Sequence, residues 1–203
     1  MAKEEKRAWR FHGLKKAVGI VAFLAGALYL FLSVRSGDPI RRLPEELSFQ
    51  DGDVLLLGSS TLRGRILKAI DGGTAWAHVG LVCCPDDESV CIIHADPELG
   101  IVKQRLQSYL DQNDVDALLL LRLDRGNGKV AASYANRLAE ARVPFKRTFC
   151  YKRGDGYYCT ELVLRAWENA GEVIMPNVKV GDAVRPSELL SNSSALRVVW
   201  QVP

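Results

Sequence analysis

Apolar residues along this chain follow two short rhythms and one long unbroken run. From Ala17 to Val34 the sequence AVGIVAFLAGALYLFLSV is apolar apart from Ser33. As a helix it would span about 27 Å, near the thickness of a bilayer's hydrocarbon core. Ser36-Gly37-Asp38-Pro39 then breaks the helix, and residues 35–46 read as a linker. Strand-like runs follow at Asp53–Leu57, His78–Cys84, Val90–Ala95, Gly100–Lys103, Ala117–Leu123 and Leu196–Val202, bounded by turn signals such as Asp51-Gly52. Helical spacing recurs in Leu62, Ile66, Leu67 and Ile70, in Val130, Tyr134, Leu138 and Ala141, and in Leu162, Val163, Ala166, Trp167 and Ala170. Leu106–Leu110 reads as one helical turn, and Pro186 opens a last short helix. Short strands, one hairpin and interspersed helices predict an α+β domain with an antiparallel sheet over residues 47–203.

Charge adds a direction to the long run. The chain of 203 residues has net charge +3, but residues 1–42 hold nine Lys/Arg against three Asp/Glu, so the remainder is acidic. Lys3, Lys6, Arg7, Arg10, Lys15 and Lys16 precede the run, whereas only Arg35, Arg41 and Arg42 lie just beyond it. The positive-inside rule then puts residues 1–16 in the cytoplasm, residues 17–34 across the membrane and the folded domain on the far side. A cleaved signal peptide competes with this reading, but the run is long for one and Ser33-Val34-Arg35-Ser36-Gly37 is a poor cleavage site. The folded part carries no basic excess that would suggest nucleic acid.

Chemistry concentrates around Cys159. The glycine-punctuated Arg153-Gly154-Asp155-Gly156 leads into Tyr157, Tyr158 and Cys159, and the helical pattern begins there. A thiol at a helix start faces unpaired N–H groups and the positive dipole end, which favour thiolate and can hold an oxyanion. A small buried structural cysteine fits the same pattern. The other cysteines, at 83, 84, 91 and 150, form no C-x-x-C pair, and an odd total in an exported domain leaves at least one thiol free. Of the three histidines, His12 precedes the membrane run, which leaves His78 and His94 as bases for Cys159. If the hairpin pairs Cys84 with Glu88, His78 lies directly opposite His94 on one face, whereas a slip of one residue separates them. Two histidines and a cysteine could instead bind zinc, but no fourth ligand is evident. Asp96 and Glu98 are candidate helpers or solvated loop charges, and Thr160 and Glu161 candidate helix caps.

Three segments in order, Gly52-Asp53-Val54-Leu55-Leu56, Trp76-Ala77-His78-Val79-Gly80-Leu81-Val82 and Tyr157-Tyr158-Cys159-Thr160-Glu161-Leu162-Val163, resemble the permuted papain-like cysteine hydrolases of the NlpC type, the YiiX/YebB-like group. The resemblance implies a papain-like fold with Cys159 as nucleophile, His78 as general base and then acid, and His94 as the residue that orients His78. It also implies Tyr158 and Trp76 as aromatic walls of a substrate site. No metal or organic cofactor is required. Relatives are expected to carry glutamate at the position of His94, and a His-His-Cys set is also similar to the lecithin:retinol acyltransferase branch. The expected function is therefore a membrane-anchored amidase or peptidase acting on cell-wall peptides at the periplasmic face of a bacterial inner membrane. The alternatives are a lipid-directed thioesterase or acyltransferase and a non-catalytic binding module.

Overall fold

The structure, a computed structural model, describes residues 26, 37–84, 90–152, 154–191, 193 and 195–202. The basic segment and all but Gly26 of the 17–34 run lie outside them, and with them the anchor expected there. Among the described residues no helix is long and apolar enough to cross a membrane.

Six strands form one antiparallel sheet in the order β4-β3-β2-β1-β5-β6: β1 (Val54–Gly58), β2 (His78–Cys83), β3 (Cys91–Asp96), β4 (Gly100–Arg105), β5 (Ala117–Leu123) and β6 (Leu196–Val202). β1 has no polar alternation, and accordingly it sits inside the sheet between β2 and β5, buried on both faces. Strand alternation sends Val79, Leu81, Ile93 and Ala95 to one face, where α3 (Gly128–Glu140) and α4 (Cys159–Asn169) pack. Leu55, Val82, Ile92 and Leu118 point to the other face, covered by α2 (Leu106–Asn113). Ile40, Leu43 and Leu47, expected in or beside a linker, pack against this second core, and Ile40 N–H donates to Val115 O at 2.6 Å. The segment from Gly37 onward is thus a strap laid on the domain. α5 (Glu188–Ser191) is a single turn.

α1 (Leu62–Ile70) is where the helical pattern misleads. Thr61 caps it through Gly64 N–H at 3.1 Å, but its buried residues are Gly64 and Lys68, while Leu62, Ile66 and Ile70 are exposed. The cause is electrostatic. Lys68 Nζ lies 2.6 Å from both carboxylate oxygens of Asp116 at the head of β5, with both side chains 1 % exposed, and a buried charge must face its partner.

The β2–β3 register also differs from expectation. Gly80, not His78, lies opposite His94, and Cys83 opposite Cys91. Neither Cys84 nor Val90 continues the ladder, because Cys84 N–H is taken by Asp51 Oδ1 at 2.7 Å and Val90 O by Leu106 N–H at 2.9 Å. A slip of two residues keeps the side-chain face, so the two imidazoles stay together, diagonally related. All five cysteines are free thiols.

Candidate active site

The start of α4 is held from three sides. Phe145 and Tyr157 form a parallel bridge, with Lys146 N–H donating to Tyr157 O at 3.0 Å. Gly156 permits the approach, since a Cβ there would stand 2.4 Å from Pro144 O. Glu161 does not cap the helix. It is fully buried and accepts from Lys146 Nζ at 2.6 Å and from Lys152 N–H at 3.1 Å. Tyr158, extended at the N-cap, is 1 % exposed, and its hydroxyl accepts from Val184 N–H at 3.2 Å. Trp76 is buried as well, in the same core as Cys159. As folded, both aromatics brace the site from within and present almost no surface to a substrate.

Cys159 is the first residue of α4 and is 9 % exposed. Backbone N–H groups of Val79, Thr160 and Cys159 itself, with the Thr160 hydroxyl 3.8 Å away, are directed at Sγ and favour thiolate. Burial opposes them and is the larger influence, so the thiol is pushed up from its ordinary value. The helix start favours thiolate as expected, but it is not the larger influence at this thiol. Burial thus works against the thiolate in the resting protein.

The imidazoles form a direct pair. His78 Nε2 lies 3.2 Å from His94 Nδ1, with the rings nearly perpendicular. Tyr109 of α2 completes the cluster, parallel to His78 at 6.2 Å and edge-on to His94 at 4.9 Å. Burial, reinforced by His94 and Arg63, holds His78 well below the ordinary imidazole value. Burial takes His94 down to about 4, against smaller upward pulls from Asp96 and from Gln104 on the neighbouring strand. Burial thus favours the neutral form of both rings. Asp96 is otherwise occupied: it accepts from the N–H groups of Glu98 and Leu99 in a local turn.

A cleft of about 80 Å³ opens over this pair, lined by Thr61, Arg63, His78, His94, Asp96 and Tyr109 among others. Cys159 reaches the same strand at Val79, the residue after His78, from the α4 side of the sheet. No hydrogen bond joins its Sγ to His78. The structure therefore brings together His78 and His94 directly, and brings Cys159 to the adjoining residue. Tyr109, Arg63 and Gln104 were not foreseen. Leu106, Tyr109 and Leu110 at helical spacing marked Tyr109 as inward-facing, but nothing local pointed it at the histidines.

The depressed His94 value has a consequence for stability. As pH falls, an unfolded chain takes up this proton near 6.5, whereas the folded chain resists until about 4. The folded state therefore keeps its full stability above pH 6.5 and loses about 3 kcal/mol by pH 4 through this one group. Urea midpoints at pH 7 and pH 4.5 should diverge more for the wild type than for His94→Gln. Equal divergence would show that His94 is not the group responsible.

A sheet with a cysteine-bearing helix on one face and the histidines on adjoining strands earlier in the chain is a papain-like arrangement in permuted order. Over residues 48–188, more than half of its length, the chain matches the family described as permuted papain-like amidase enzyme, YaeF/YiiX, C92 family. It belongs to that family and is a papain-like cysteine hydrolase of the amidase type. Among solved structures it is similar in fold to the metalloprotein yiiX from Escherichia coli O157:H7, with a TM-score of 0.61 and 15 % sequence identity, covering 75 % of this chain and 97 % of that one. No curated relative matches the chain in sequence.

Proposed function

We propose that the protein hydrolyses amide bonds of cell-wall peptides through Cys159, His78 and His94, from an inner-membrane anchor at residues 17–34 that places the domain in the periplasm. The observation that carries the catalytic assignment is the His78–His94 pair at the head of the strand that Cys159 abuts. With His78 Nε2 committed to His94, His78 Nδ1 is the nitrogen left to take the thiol proton. The thiolate then adds to the amide carbonyl, and N–H groups at the start of α4 hold the oxyanion. Imidazolium at His78 returns the proton to the departing amine, and His94 Nδ1 supports the charge as acceptor from Nε2–H. Water, deprotonated by His78, cleaves the thioester and regenerates the thiol. The relative yiiX is described as a metalloprotein. Here His78 and His94 are turned on one another rather than on a common centre. Among the described residues no group of three or more His, Cys, Asp and Glu side chains is placed to hold a metal ion. This donor set does not fit a metal site, and the mechanism routes no step through one.

The test is to incubate the full chain with muropeptides and, in parallel, with acyl esters, and to follow products and Cys159 by mass spectrometry. New amine and carboxylate ends from muropeptides, with an acyl adduct on Cys159, are expected. Untouched muropeptides together with cleaved acyl esters would replace the peptide substrate by a lipid one.

A further inference from the structure

α1 is inverted relative to an ordinary surface helix. Its interior residues are Gly64 and the ion-paired Lys68, whereas Leu62, Ile66 and Ile70, one turn apart, are 67 %, 46 % and 65 % exposed. Residues four apart share one face, so these three side chains form a continuous apolar stripe turned away from the domain. A soluble helix places its stripe the other way round. A second element is fastened to the end of this helix. Ser187, whose hydroxyl and N–H bond the Asp71 carboxylate at 2.7 and 3.2 Å, fastens α5 to the end of α1, and α5 carries exposed Leu190. Among the described residues, other exposed apolar side chains such as Leu99, Val173 and Val198 have no such partner a turn away.

The sequence just before Gly37 offers an occupant for this stripe. Only residues 35 and 36 separate the apolar run from Gly37, a reach of about 11 Å at full extension. Gly37 is not free to drift outward, because its N–H donates to Asp116 Oδ2 at 3.2 Å, and Asp116 is the carboxylate that holds Lys68 of α1. A headgroup layer is roughly 5–8 Å deep on each side of a bilayer, so a tether this short keeps α1 at the surface.

We infer that the Leu62–Ile66–Ile70 face of α1 rests on the bilayer that holds the 17–34 run, as an interfacial helix. The inference stands on the anchor proposed above and deepens it. Thr61, Arg63, Gly64 and Leu67 of the same helix line the cleft over His78 and His94. The mouth of the site therefore opens at headgroup level, and the substrate is one presented from the membrane.

The full chain, reconstituted in vesicles of phosphatidylethanolamine and phosphatidylglycerol, tests this. A diazirine-bearing amino acid is placed at position 66, at position 70 or, as control, at exposed position 173. Flotation is measured first, and lipid adducts are read by mass spectrometry after irradiation. Floating chains with lipid adducts at 66 and 70 and none at 173 are expected. Floating chains without adducts at 66 and 70, with equal adducts at 173, or with crosslinks to a second protein copy overturn the interfacial helix alone. A chain that does not float overturns the anchor and the interfacial helix together.

Discussion

Cys159→Ala reduces amide hydrolysis by a factor of about 10⁴ or more and leaves the melting temperature almost unchanged. The second half follows from packing: removing one sulfur from a residue that is 9 % exposed costs little in a core of this size. The first half follows from the place of Cys159, whose sulfur abuts Val79, the residue after the proposed base His78. His78→Ala should fall nearly as far, and the double variant no further, because nucleophile and base act as a unit. His94→Ala should lose less, since it removes only the support of the imidazolium. Alkylation separates this site from a thiolate–imidazolium ion pair. With a buried thiol pushed up from its ordinary value and no hydrogen bond to His78, iodoacetamide should react slowly below about pH 8.5, the ordinary thiol range, and faster above it. His78→Ala should leave that curve in place while abolishing turnover. A wild-type curve with its midpoint near pH 6 would show that the resting thiol is already ionised.

What is legible in the sequence is whatever depends on near neighbours along the chain. Leu162, Val163, Ala166 and Trp167 did mark the inward face of α4, and the unbroken apolar run of β1 did mark a strand buried on both faces. The common face of His78 and His94 survived an error in register, because a slip of two preserves alternation. The slip itself was illegible because Cys84 and Val90 are claimed by Asp51 and Leu106, partners outside the hairpin. The thiol's upward shift is hidden in the sequence for a related reason. The favourable N–H groups belong to the helix start and are visible locally, but the burial that outweighs them comes from the sheet. α1 shows the same limit most plainly. Spacing alone cannot choose which face of a helix turns inward when a lysine on the polar face meets a buried carboxylate 48 residues away.

Lys146→Met should destabilise the domain by about 3–5 kcal/mol, the cost of stranding one member of a buried ion pair. Glu161 is 0 % exposed, and without Lys146 Nζ its carboxylate keeps only the Lys152 N–H at 3.1 Å. The same ammonium donates to Lys152 O at 2.6 Å, so the loop carrying Lys152 loses a second tie. Replacing both partners, Lys146→Met with Glu161→Leu, removes the stranded charge and should recover most of the stability, as apolar replacements of buried pairs do. Activity distinguishes the two variants in a way that stability does not. Glu161 lies two residues beyond Cys159, and its partner sits beside the Phe145–Tyr157 bridge that delivers the chain into α4. The double variant, although stable, lacks the polar pin between that loop and the helix. Its kcat should therefore fall, with a smaller change in KM, as the thiol and its N–H groups lose their fixed position. Urea unfolding and steady-state kinetics on the three proteins check this. A single variant that costs less than about 1 kcal/mol would mean that water reaches Glu161 and the pair is effectively solvated. A double variant with full activity would reduce the pin to a contribution to stability alone.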